Sequence, residues 1–139
     1  MKRNWFSNFI PFEKPMGYQG LLFPTPEHFY QAMKTLDYRD RARCAAASSP
    51  ASAKKLGQTF QLRADWDEIK LDVMEFALRY KFSSEIWLKR LRSESGPFVE
   101  WNYWHDNYWG HCTCRKCKGK EHLNHLGLIV SKLKKEVSL

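Results

Sequence analysis

The sequence predicts an α+β fold, predominantly helical with a few short strands, and three observations carry that prediction. Apolar residues recur at helical spacing through most of the chain, whereas stretches with strand character are very short and stop at Gly or Pro. The 139 residues, 43% hydrophobic and 15% aromatic, suffice for one core without metal or disulfide support. No internal repeat or long linker divides the chain, so residues 1–139 are expected to form a single domain with a basic, Cys-rich loop at 111–122.

Taken in order, Trp5 to Pro11 is too short and aromatic for a helix and reads as a short strand or extended loop, with Ser7 and Asn8 either binding a ligand or capping nearby backbone. Gly17 and Gly20 flank a turn, and Leu21–Phe23 is a brief strand. Thr25 then suits an N-cap, Pro26 the first helical position and Glu27 the positive end of the dipole. The spacing of Phe29, Ala32, Met33 and Leu36 predicts an apolar face, with Glu27, Gln31, Lys34 and Tyr38 opposite. Glu27 and Lys34 are two turns apart, about 10 Å along the axis. That is too far for a helical ion pair. The face is either an ordinary solvated one, which the spacing alone favours, or a carboxylate and an ammonium holding a small ligand between them.

A second helix is expected over Asp37 to Ala47, and a third over Pro50 to Leu56, capped by Ser49, closed by Gly57 and carrying Lys54 and Lys55. Asp65 and Glu68 have capping-box spacing and open the longest helix. Its two apolar stripes, Trp66-Ile69-Val73-Phe76-Tyr80 and Leu71-Met74-Leu78, predict a central helix buried on both sides. Another helix over Ser84 to Leu91, a loop through Pro97 and a strand at Phe98–Trp101 follow. Residues 102–110 form an aromatic loop without period, in which Tyr and Trp rings either stack on a base or close the core. Asp106, set among those rings, is a candidate acid because apolar surroundings raise a carboxyl pKa. The last helix, about Leu123 to Glu136, has Asn124 near its start, to reach a ligand or cap the helix.

Lys and Arg number 23 against 15 Asp and Glu, a net charge of +8, which favours a polyanionic or phosphate-bearing partner. No apolar run approaches membrane-spanning length and no signal-peptide core follows Met1, so a cytoplasmic location without membrane association is expected. Cys112, Cys114 and Cys117 do not resemble a secreted disulfide framework. They fit free thiols, the favoured reading, or a zinc site completed by His105, His122 or His125.

Together these stretches resemble the NADAR (YbiA-like) domain family. The resemblance rests on an ordered series: Ser7-Asn8-Phe9; Phe23-Pro24-Thr25, Glu27-His28, Gln31-Ala32 and Lys34; Ala53-Lys54 and Leu56-Gly57; Leu62-Arg63, Asp65-Trp66 and Lys70 to Met74; Lys81-Phe82; Asp106-Asn107 and Trp109-Gly110; Asn124 with Leu126-Gly127. It implies a mostly helical fold and hydrolysis of a bond from ribose C1 to nitrogen, most of all removal of ADP-ribose from guanine. Alternatives are cleavage of ribosylamino-pyrimidine riboflavin precursors, or a non-catalytic ADP-ribose or NAD binding module. The implied catalytic residues are Glu27, Lys34 and Asp106. Ser7, Asn8, Phe9, His28, Trp66, Trp109, Gly110 and Asn124 are the implied substrate-binding residues. No cofactor is implied, and the implied partner is an ADP-ribose-containing ligand or ADP-ribosylated nucleic acid. The Cys-rich insertion between Gly110 and Asn124 departs from many relatives.

Overall fold

The computed structural model describes residues 4–138, and its architecture is α+β and mostly helical. Residues pack within two groups, Asn8–Trp87 and residues 4–7 with 88–138.

The first group opens with a hairpin in which β1 (Met16–Tyr18) pairs antiparallel with β2 (Leu21–Phe23). The two-residue turn needs positive φ at both positions, which Gln19 and Gly20 adopt at 51° and 79°. Only the second of these strands was expected, because Met16-Gly17-Tyr18 alone carries no alternation. Helix α1 (Pro26–Ala32) follows, with the Thr25 hydroxyl accepting from His28 N–H as the N-cap. It packs against α2 (Tyr38–Ala45), α3 (Pro50–Gly57) and α4 (Trp66–Lys81). Phe29, 3% exposed, meets Tyr18, Phe23 and Phe76 with ring centroids 5.4 to 5.7 Å apart. Burying such a side chain contributes about 1.5–3 kcal/mol.

Several expectations need correction here. Helix α1 does not run on to Leu36. After Met33, Lys34 N–H donates to Gln31 O and Thr35 N–H to Ala32 O, three-residue bonds that tighten and end the helix. Asp37 then leaves the helical path to cap α2, accepting from the N–H groups of Arg39 and Asp40. Asp65 makes no side-chain cap, because its carboxylate is held at 2.6 and 3.2 Å by the Arg63 guanidinium. Helix α4 is buried along one stripe, Trp66, Met74, Ala77, Leu78 and Lys81, and not on two sides; Leu71 and Phe76 are exposed.

Helix α5 (Glu85–Ser93) runs from the first group into the second, in which β3 (Trp101–Asn102) pairs in parallel with β4 (His111–Cys112). The strand expected at Phe98–Trp101 forms only at its end, because side chains take the backbone groups a ladder would use. Asn4 donates to Val99 O, while Asn124 donates to Phe98 O and accepts from Glu100 N–H. A 3-10 turn, Arg115–Cys117, precedes α6 (His125–Val137), whose buried stripe is Leu126, Val130 and Leu133. Among the described residues, no helix is long and apolar enough to cross a membrane.

Candidate active site

Helix α1 has no solvated face. All seven of its residues are buried, including Glu27 at 6% exposure, His28 at 1% and Gln31 at 3%. An ionisable carboxylate at that depth needs partners, and Glu27 has them. Gln31 Nε2 donates to Glu27 Oε1 at 2.7 Å, and Glu27 N–H donates to Asn8 O at 3.1 Å. With its amide nitrogen turned to the carboxylate, Gln31 points Oε1 the other way, where it meets no donor; buried Asn8 Oδ1 is likewise without one. Buried oxygens without donors are uncommon in a folded protein, and that of Gln31 faces Gly57 of α3.

Lys34 stands on the turn after α1, not on its face, so the two-turn alignment expected of Glu27 and Lys34 is replaced by approach through the helix end. Burial holds its ammonium below the ordinary lysine range; Glu27 opposes that shift, Lys54 adds to it, Cys44 opposes it and Lys70 adds to it. Its Nζ lies 5.7 Å from the centre of the Tyr30 ring, which in turn packs on Trp66 at 5.0 Å. Cys44, fully buried, has its thiol pushed up to about 12, first by burial and then by Glu27, with Lys34 pulling it back. Glu27, Lys34 and Cys44 thus share one low-dielectric region, approached by Lys54 and Lys70. Gln31 and Lys70 went unrecognised as site residues in the sequence. Gln31 was legible as a neighbour of Glu27 one turn on, while Lys70 entered only as part of the family series.

His28, expected to touch substrate, is committed elsewhere. Its Nε2 must carry the proton to donate to Ala47 O at 3.0 Å, leaving Nδ1 to accept from the Thr25 hydroxyl at 2.8 Å. Burial lowers its pKa, which favours this neutral tautomer. Trp66, 5% exposed, presents its ring to Tyr30. Phe9 is half-buried, and Ser7, 2% exposed, donates its N–H to Asn4 O.

The remaining candidates gather around β3 and β4. Asp106 Oδ1 accepts from the N–H groups of Tyr108 and Trp109 at 3.1 and 2.9 Å, so the carboxylate shapes the loop that carries Trp109. Trp109 meets Tyr108 edge to face at 4.9 Å and returns its carbonyl to Leu126 N–H. Gly110 and Asn124 both have structural partners. A Cβ at Gly110 would fall on Glu100 O, so glycine permits the close approach that pairs His111 N–H with that carbonyl. Asn124, in the left-handed region at φ 48°, spends both ends of its amide on the 98–100 backbone. The three clustered cysteines converge with His105, while His122 stacks on His111 and His125 packs against Tyr108.

Comparison with known proteins bears on the family and the fold. The NADAR domain model matches residues 1–138. The chain is 35% identical over 138 residues to the N-glycosidase YbiA of Escherichia coli strain K12, covering 96% of this chain and 81% of that protein. It is 33% identical over 148 residues to the chloroplastic riboflavin biosynthesis protein PYRR of Zea mays, covering 95% of this chain and 23% of that one. It also superposes on the NMR structure of E. coli YbiA with a TM-score of 0.77 at 34% identity, over 96% of this chain and 77% of the other. With its family match nearly end to end, the chain belongs to the NADAR domain family and is a hydrolase of N-glycosyl bonds.

Proposed function

We propose that this N-glycosidase removes ADP-ribose from modified guanine, cleaving the bond between ribose C1 and the base nitrogen. The observation that carries the reading is the buried Glu27 carboxylate, fixed by Gln31 and sharing its surroundings with Lys34. Departure of the base leaves positive charge on the ribose, which a preoriented carboxylate in a dry site stabilises without reorganising. Water then adds its oxygen to C1, the electrons of the broken bond stay with nitrogen, and that nitrogen gains a proton. Glu27, as the ionised carboxylate, accepts the proton that water loses. A sugar hydroxyl supplies the donor that Asn8 Oδ1 lacks. Lys34, with Lys54 and Lys70 nearby, supplies positive charge for a diphosphate. Alternatively, in place of holding phosphate, the amine attacks a ring-opened sugar in its neutral form, which its depressed pKa favours.

A second reading, a glycosidase acting on a ribosylamino-pyrimidine phosphate, is favoured by the name of the maize relative. The two are separated by incubating the protein with an ADP-ribosylated guanine oligonucleotide and, separately, with the pyrimidine compound, and following sugar release. Release of ADP-ribose from the oligonucleotide supports the proposal. Turnover of the pyrimidine compound alone selects the second reading, and tight ADP-ribose binding without turnover of either selects a binding module. Glu27→Gln keeps the side chain's size and is expected to lower kcat by more than about 100-fold with an unchanged circular dichroism spectrum, the scale on which single acid–base and electrostatic groups act. An undiminished rate would remove Glu27 from the chemistry.

A further inference from the structure

Helix α1 and its surroundings leave one constellation of reactive side chains unused. His105 Nδ1 lies 3.2 Å from Cys114 Sγ, 3.4 Å from Cys117 Sγ and 4.0 Å from Cys112 Sγ, and all four ligand atoms lie within 4.8 Å of one another. Zinc bonds of about 2.3 Å to sulfur and 2.0–2.1 Å to nitrogen, at tetrahedral angles, place ligand nitrogen and sulfur about 3.5 Å apart and two sulfurs about 3.8 Å apart. The observed separations bracket the nitrogen–sulfur figure. Three thiols and an imidazole brought to such range have the spacing of a metal ligand set.

We propose that His105, Cys112, Cys114 and Cys117 form a structural zinc site.

The surrounding backbone is arranged as thiolate ligation requires. The N–H groups of His105 and Cys114 donate to Cys112 Sγ at 3.3 and 3.5 Å, and the Asn107 side chain bonds the Cys117 thiol while accepting from Cys112 N–H at 2.9 Å. Such donors offset the negative charge of coordinated sulfur and fix its direction. The His105 backbone takes the left-handed region at φ 70° where its side chain meets the cluster. The adjacent residues that hold this bend are bonded to the buried amide of Asn102, whose Oδ1 accepts from Trp104 and Asp106 N–H and whose Nδ2 donates to Asp106 O. Three soft thiolates and an imidazole select zinc over calcium or magnesium, which take oxygen ligands. Because the protein supplies all four ligands, no position stays open for water, so the ion ties the segment between β3 and β4 and activates nothing. Metal binding here would fix the loop that bears Asp106 and Trp109. Cys44 takes no part, its thiol being buried away and pushed up to about 12.

The test is elemental analysis of the full chain purified without chelator from zinc-supplemented medium, with alkylation mapped by mass spectrometry. About one zinc per chain is expected, retained through gel filtration. Chelation should then release it and raise the alkylation rate of Cys112, Cys114 and Cys117 by more than about tenfold while Cys44 stays unmodified. Cys114→Ser, at the most accessible of the three thiols, and His105→Ala should each lower zinc affinity by more than about 100-fold, beyond the range seen for residues that only support a ligand. Cobalt-loaded protein provides a second readout, since tetrahedral thiolate coordination has intense visible absorption that His105→Ala would shift. A chain free of zinc with all three thiols freely alkylated, iron in place of zinc, or full zinc retention in both variants would each overturn the assignment.

Discussion

Lys34 is a residue on which opposing physical effects are balanced, and the balance can be read from pH. Burial disfavours its ammonium, Glu27 favours it, and the net effect is a pKa below the ordinary 10.5. The unfolded chain therefore holds the Lys34 proton over a pH range in which the folded chain has released it. Where the unfolded state binds more protons, stability rises with pH. The penalty of the buried charge is thus fully present below the folded pKa and is relieved as pH climbs from there towards 10.5. Lys34→Met removes this dependence, so denaturant unfolding of variant and parent should give a difference that moves in the parent's favour as pH rises through that window. A difference flat from neutral pH to 10.5 would mean that the amine is not desolvated. His28 follows the same sign on a lower scale. Its pKa is depressed by burial from 6.5, so its contribution is complete above 6.5 and fades as the solution becomes more acid.

Element α1 shows where the sequence could be read and where it could not. Its start was legible because Thr25, Pro26 and Glu27 each suit one backbone position by local chemistry, and the cap at Ser49 is equally local. The roles of the site residues were less so. Spacing on a helix tells which side chains share a face, but whether that face meets water is decided by the α2 and α3 packing that buries all of it. Asn124 and Gly110 belonged to recognisable motifs, yet their partners are backbone groups more than eight residues away that no periodicity announces. The same tertiary contact makes Gly57 a sharp test of the site. A Cβ there would fall on Gln31 Oε1 and press on the rest of that amide. Alanine gains up to about 1 kcal/mol of helix propensity over glycine, against overpacking costs of about 1–3 kcal/mol. Gly57→Ala should therefore lose no more than about 3 kcal/mol of stability by denaturant titration, while kcat falls at least tenfold as Gln31 is driven off Glu27. Equal rates in variant and parent would show that the Gln31 contact does not orient the carboxylate.

For the molecule as a whole, the net charge of +8 says nothing about the fold and bears on association with polyanions. Arg115, Lys116, Lys118 and Lys120 are all exposed on one short segment, where cations can meet a phosphate backbone. Each phosphate neutralised on a single strand releases counterions and adds about −0.7 to the slope of log affinity against log salt. Contact with only about three phosphates therefore predicts a roughly 20-fold loss of kcat/KM on an oligonucleotide between 50 and 200 mM salt. A mononucleotide carrying the same ADP-ribosyl guanine engages no neighbouring phosphates and should change less than about threefold over that range. Replacing Lys116, Lys118 and Lys120 by Ala should flatten the oligonucleotide slope and leave the mononucleotide rate alone, since these side chains project into solvent. If both substrates respond to salt alike, the positive charge does not read a nucleic-acid backbone, and the reaction belongs to a small phosphorylated substrate of the kind the second reading invokes.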